Sequence, residues 1–256
     1  SVAIVGACNN FDAPQSSGTP VAVVLMNART QGAGYTTYPK VNFYAVNGAT
    51  FTFSNQNSDT CIVAPYDSTA VPANTATRIG AGALMRVVIA GDTDSLYKAT
   101  TSDRTYTPAN LSGIPFTPGD SVVFQVAGDV AGFPPLTGAS RTAEPFTITS
   151  PTIPPAGQSM QVSWTAASDL NAAMYVSLLY DSHGTGTLNT QIFCDFNDDG
   201  LGTVKASLLP ALSSSSVPFV LHAQRVRSAL LLTNGTGSLG YMNVISTFEV
   251  PTPVSP

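Results

Sequence analysis

The chain is short of charge. Of its 256 residues, 10 are Lys or Arg and 15 are Asp or Glu, so 10% are charged, against roughly 25% in an ordinary soluble protein. The net charge of −5 has no basic block within it, so a phosphate-binding stripe has no raw material and nucleic acid is not an expected partner. No apolar run reaches the roughly 18–20 residues of a membrane-spanning helix, so no membrane span is expected. There are only two histidines, which restricts relay and metal chemistry. Patterns for nucleophile elbows, zinc helices, dinucleotide loops and phosphate loops are missing. The surface must therefore be coated with hydroxyls and amides. That coat is common on secreted β proteins, whereas cytosolic helical enzymes draw on Lys, Glu and Arg for helix propensity and solubility. The expected address is extracellular.

What the chain does have is alternation. "PVAVVLMNA" (20–28), "KVNFYAV" (40–46), "ALMRVVIA" (83–90), "DSVVFQVA" (120–127), "SMQVSWTA" (159–166), "AMYVSLLY" (173–180), "VPFVLHAQRVR" (217–227) and "YMNVISTFEV" (241–250) each repeat with period two, as strands with one buried face do. Between them stand "NGA", "PGD", "GDTD", "HGTG" and "NGTGS", turn-forming combinations of Gly, Asn and Asp. A helical pattern occurs only at "VKASLLPAL" (204–212), where Pro210 limits it to about two turns. The Pro-rich stretch "EPFTITSPTIPPAGQ" (144–158) has the composition of a stiff connector. The expected architecture is all-β: a leading segment 1–14, a β-sandwich at 15–146, and a second sandwich at 147–256 with the size and rhythm of an immunoglobulin or fibronectin type III domain. Trp164 and Phe43 are expected in the cores.

One stretch resembles a chemical motif. In "CDFNDDGLG" (194–202), Asp195, Asn197, Asp199 and Gly200 fit the opening of a calcium loop, D-x-[DN]-x-[DN]-G, in which alternate oxygen ligands converge because a Gly allows the sharp turn. A complete loop needs a bidentate Glu at its twelfth position, where Ala206 stands, and helices on both sides. A turn between strands is the simpler reading; a calcium site on Asp195, Asn197 and Asp199 is the alternative, and no other cofactor is expected.

The order "FTITSPTIPPAGQSMQVSWTAA", "YVSLLYDS", "TQIFCDFNDDGLGTVKASLLPAL" and a strand carrying "HAQRVR", preceded by "PFTPGDSVVFQVAGDVAGFPPL" at 115–136, resembles bacterial cell-envelope lipoproteins of the myxobacterial type across about residues 110–250. The resemblance implies a cell-envelope or outer-membrane surface location and a build of two sandwiches, and it carries no catalytic residues. It further implies that Cys194 ends a strand, that Asp-Asp-Gly closes a tight turn, and that "ASLLPAL" plugs one end of a sandwich.

The amino-terminal segment allows two readings. Val5-Gly6-Ala7-Cys8 fits a lipobox, with Cys8 as the acylated residue, "SVAIV" as the end of a signal segment and "NNFDAPQSSGTP" as a tether. A basic n-region is missing. Otherwise "SVAIVGA" is an ordinary strand, or one donated to the sheet edge of a neighbouring subunit. Cys8 would then pair with Cys61, leaving Cys194 buried and reduced, although a Cys61–Cys194 bond across the domains also fits. With three cysteines, at least one has another fate.

No catalytic residue stands out. His183 lies in the turn "YDSHGTG", whose neighbours in sequence do not form a relay; His222 shares a strand face with Val220 and Gln224. Most acids, including Asp92, Asp94, Asp103, Asp120, Asp129 and Asp198, lie in turn contexts that suit capping. Tyr35, Tyr38 and Tyr44 in "GYTTYPKVNFY" could stack on sugar rings, or line an edge or interface. The sequons at Asn110 and Asn234 match glycosylation acceptors. The expectation is an exported, non-enzymatic surface protein with a structural or adhesive role, anchored to a membrane or assembled with itself or other envelope proteins. A module binding polysaccharide and a secreted hydrolase are the alternatives.

Overall fold

In the computed structural model the residues described are 19–31, 34–46, 59–66, 77–98, 105–109, 112–129, 132–149, 154–155, 157–168, 172–183, 185–209, 219–233 and 240–253. The expectations for Cys8, the lipobox, the leading segment 1–14, Asp103, Asn110 and Asn234 lie outside them.

The protein is all-β. In chain order the strands are β1 (Thr19–Gln31), β2 (Gly34–Thr37), β3 (Lys40–Val46), β4 (Thr60–Pro65), β5 (Thr77–Arg78), β6 (Leu84–Ile89), β7 (Asp92–Lys98), β8 (Thr105–Pro108), β9 (Ile114–Phe116), β10 (Ser121–Val126), β11 (Leu136–Arg141), β12 (Ile148–Thr149), β13 (Met160–Trp164), β14 (Ala172–Tyr180), β15 (Thr190–Asn197), β16 (Leu201–Val204), β17 (Phe219–Leu232) and β18 (Tyr241–Pro253). All eight alternating segments form strands. The helical pattern at 204–212 is corrected: among its described residues Val204 ends β16 and only Ala206–Leu208 turns, as a single 3-10 turn. Propensity over so few residues cannot meet the cost of helix nucleation.

One mixed sheet follows the path β11-β10-β6-β7-β8-β3-β1-β18-β17-β14-β15-β4, with β2, β5 and β9 attached at its flank; β12-β13-β16 make a second, small sheet. Neighbours pair antiparallel except β1 and β18, whose register sets Val21 beside Tyr241 and Ala28 beside Phe248 in parallel. Because side chains alternate across a sheet, β17 sends Leu221, Ala223, Ala229 and Leu231 to one face, and β18 sends Met242, Val244 and Phe248 to that same face.

That face carries two hydrophobic clusters. The first gathers Val24, Phe43, Met85, Phe124, Phe133 and their neighbours, with Met242 and Val244 contributed by β18. The second lies between the two sheets and holds Met160, Val162 and Trp164 from β13 against Val176, Leu178, Cys194 and Phe196 from β14 and β15, a sandwich-like arrangement. Trp164 and Phe43 are core residues, 7% and 0% exposed. The long strands β17 and β18 serve both clusters. Tyr35 joins them too, its ring 6.4 Å from that of Phe116 and 5.5 Å from that of Phe248. The far end of the sheet curls back onto its middle at Gly138, where an added Cβ would stand 2.8 Å from Leu231 Cδ1.

Strands are exchanged across the Pro-rich stretch. β1 pairs with β18, and β4 pairs with β15. Between the two clusters, β17 places Arg225 and Arg227 in phase with its apolar residues. Arg225 donates to the carbonyl oxygens of Pro145 (3.0 Å) and Thr165, and Arg227 to that of Thr142 (3.3 Å). Ala143 N–H donates to Ser246 Oγ at 2.8 Å. Residues 142–145 are thus held by hydrogen bonds to β17 and β18, which supply the partners that a buried irregular backbone needs.

Candidate functional site: the 194–202 segment and a disulfide-braced sheet edge

The three candidate ligands of "CDFNDDGLG" have different partners. Within β15, Cys194 and Phe196 face the second cluster while Asp195 and Asn197 take the opposite face. Asp195 sits beside Tyr175 on one side and Thr60 on the other. It is half-buried, with one carboxylate oxygen buried and without a hydrogen-bond partner. Burial, and then the nearby charge of Asp59, pushes its carboxyl up to about 6. Asn197 is committed to Asp59 instead: its N–H reaches Oδ1 at 2.8 Å and its side-chain amide Oδ2 at 2.7 Å. Asp199 Oδ1 accepts the N–H of Leu201 at 3.1 Å, closing its own turn. Gly200 has φ +102, where an added Cβ would also lie 3.1 Å from Trp164 O, so a side chain there meets both backbone strain and a carbonyl. Asn197 and Asp199 are thus each engaged with other partners. Among the described residues, no group of three or more His, Cys, Asp or Glu is arranged to hold a metal ion.

Asp198 lies in the bend between β15 and β16, the turn context its sequence suggests, but its side chain does not cap that turn: it is the buried counter-ion of Arg225. Its Oδ2 accepts Arg225 Nε at 2.5 Å, and its Oδ1 accepts both Arg225 Nη2 (2.9 Å) and Trp164 Nε1 (2.7 Å). Side-chain exposure is 2% for Arg225 and 1% for Asp198. Burying two such groups is tolerable only because each is paired and hydrogen-bonded. The signal that could have found this pair was in "LHAQRVR": Arg225 and Arg227 share the parity of Leu221 and Ala223, so alternation alone turns two guanidinium groups inward. Asp92 and Asp94 belong to strand β7 and not to a turn. Nearby, Glu144 accepts Ser168 Oγ at 2.5 Å, a bond that holds its carboxyl below the usual range.

The cysteines follow the cross-domain option. Cys61 is bonded to Cys194, directly opposite it across β4 and β15 with the Cα atoms 4.0 Å apart. This corrects the Cys8–Cys61 pairing: strand register places Cys61 on Cys194, 133 positions away in sequence. Cys194 lies within β15, which continues to Asn197, and does not end the strand.

Among the described residues, the side-chain partners of the histidine rings are an amide and a carboxylate. Asp181 is buried and closes its turn, accepting the backbone N–H groups of His183 (2.9 Å) and Gly186 (2.5 Å) and the amide of Asn189 (2.9 Å). The His183 ring meets Asn189 Nδ2 at 3.0 Å. His222 Nδ1 lies 3.3 Å from Glu249 Oε1 on the same strand face as Gln224.

The tyrosines do not share one platform. Tyr35 is packed between Phe116 and Phe248, Tyr38 donates its hydroxyl to Pro108 O at 3.3 Å, and Tyr44 takes the face of β3 opposite buried Phe43.

Comparison with protein-family models, curated proteins and solved structures finds no match to this chain. The molecule must be read from its own surface.

That surface has one conspicuous edge. β4 closes the path of the large sheet among the described strands. Its consecutive Ile62 and Val63 are 60% and 48% exposed, and Leu201 on β16, the end strand of the small sheet, is 50% exposed. β4 also touches the 3-10 turn that follows β16, and Cys61 and Leu208 from these two elements both pack against the second cluster. The edge is uncharged from Thr60 to Pro65 and is tied to β15 through the disulfide. No helix among the described residues is long and apolar enough to cross a membrane.

Proposed function

We propose that the protein is exported and serves a structural or adhesive role at a cell surface, without enzymatic activity. In this reading it is built from two immunoglobulin-like modules, residues 15–146 and 147–256, that exchange strands, and it belongs with the envelope lipoproteins its sequence resembles. The observation that carries the reading is the Cys61–Cys194 bond. Such bonds persist in oxidising compartments and are rare in the cytosol. The low charge of the whole chain and the commitment of its buried polar groups to packing, as in Arg225 with Asp198, support a scaffold over a reaction centre.

The test is the intact mass and cell fraction of the protein purified from its source. Surface or extracellular fractions holding protein whose mass rises on reduction of one disulfide are the expected result, and the same spectrum shows whether Cys8 carries acyl chains. A cytosolic protein with Cys61 and Cys194 as free thiols would end the proposal.

A further inference from the structure

We infer that β4 is a self-association edge, on which β4 of a second copy of this chain adds antiparallel about a two-fold axis through Ile62. The inference deepens the structural reading above, on which it rests for its biological setting, by naming the partner.

Edge strands in monomers are commonly blunted by Lys, by inward-facing charge or by a covering element. Between Thr60 and Pro65 β4 carries no Lys and no charge; among the described residues the 3-10 turn touches it, yet it still presents an exposed β-branched side chain on each face, Ile62 and Val63. Val63 is on the face of Cys61 and stands opposite Ile192, which is fully buried in the second cluster. The cluster therefore opens to solvent at this strand, and a further strand would complete it.

The register follows from the backbone. Directly opposed Cα atoms only 4.0 Å apart mark Cys61 and Cys194 as a non-hydrogen-bonded pair. The peptide groups of Cys61 and Val63 consequently point away from β15, toward the open side, while those of Ile62 and Ala64 serve β15. Tyr66 N–H, of the same parity as Ala64, donates inward to Asn189 O at 2.8 Å. A two-fold pairing centred on Ile62 sets Cys61 of each copy against Val63 of the other, so the outward groups exchange about four backbone hydrogen bonds. Ile62 meets its own copy in the close, non-hydrogen-bonded position.

Between Thr60 and Pro65 no charge opposes this pairing. The nearest acid on the chain, Asp59, would face Pro65 of the other copy, leaving the two Asp59 carboxylates about 20 Å apart at ~3.3 Å per residue, beyond the ~8 Å screening length at physiological salt. A six-residue edge buries less than the roughly 1,200 Å² of a permanent interface, so the expected association is weak and concentration-dependent.

Sedimentation velocity on the full chain from about 10 to 500 µM tests this, with Ile62→Lys and Val63→Lys as edge variants. Tyr97→Lys, at a residue 48% exposed on β7, is the control. Dimer formation in the wild type and the control, lost in both edge variants, is the expected result. Should the edge variants not fold, amide exchange of Cys61 and Val63 in the wild type replaces them: exchange slowed several-fold at high concentration supports the edge. A wild type that stays monomeric throughout, association unaffected by either edge variant, or exchange independent of concentration overturns the inference. An exported, disulfide-bonded monomer would sink this inference and leave the proposed function standing; a cytosolic protein that dimerises through β4 would do the reverse.

Discussion

Asp195 is the residue whose chemistry responds most to pH. Its carboxyl is raised from 3.8 to about 6, first by burial and then by Asp59. The folded state therefore holds a proton that the unfolded state releases between those values. Stability falls as pH rises through this window, and the penalty is complete above about pH 6. Asp195→Asn should thus stabilise the protein at pH 7.5 by about 1 kcal/mol, after allowing for solvent screening of a half-buried carboxyl. The gain should vanish below about pH 4, as thermal melts across pH would show. At the same stretch, Asn197 is occupied by Asp59 and Asp199 by its own turn, so millimolar calcium or a chelator should leave the melting temperature of the wild type unchanged. From the sequence, the spacing of Asp195, Asn197 and Asp199 could be matched to a motif, but the direction of each side chain depends on whether β15 runs through Cys194. It does, and strand parity sets Asp195 and Asn197 on the face opposite Cys194 and Phe196. Asp59 was invisible beforehand, because its partner Asn197 is 138 positions away.

At the scale of elements, period-two alternation carried most of what could be read, since a half-buried strand needs nothing more than one apolar face. Short strands such as β2, β5 and β12 escaped it. They hold two to four residues each, too few to repeat a period, and exist because neighbours supply their hydrogen bonds. β17 shows the value of reading exceptions: Arg225 falls on the apolar face, and its charge is satisfied by Asp198 and by carbonyl groups of 145 and 165. Replacing Arg225 by Met leaves Asp198 buried and unpaired, and should cost about 3–5 kcal/mol. Adding Asp198→Asn to that variant should recover part of the loss, because no lone buried charge then remains. Urea unfolding of both variants measures the difference.

Across the whole molecule, the Pro-rich stretch at 144–158 was legible from composition, whereas the exchange of strands across it was not. Composition records where a chain is stiff; it carries no information on which distant edges will pair. The Cys61–Cys194 bond depends on such a pairing, and it closes a loop of 133 positions. Constraining so long a loop in the unfolded chain stabilises the fold by up to about 5 kcal/mol in the chain-entropy treatment. Reduction should lower the melting temperature by many degrees, and Cys61→Ser should reproduce the loss without reductant, as calorimetry would record.

The parallel contact of β1 with β18 also constrains timing. Val21 must wait for Tyr241, about 220 residues and, at a ribosome pace of about 5–20 residues per second, some 10–40 seconds later. Throughout that interval the nascent chain carries an apolar ribbon with one flank bare, open to chaperones. β18 is thus the latch for β1, and a chain interrupted before it would have no mate for β1 and would be a ready substrate for quality-control proteases.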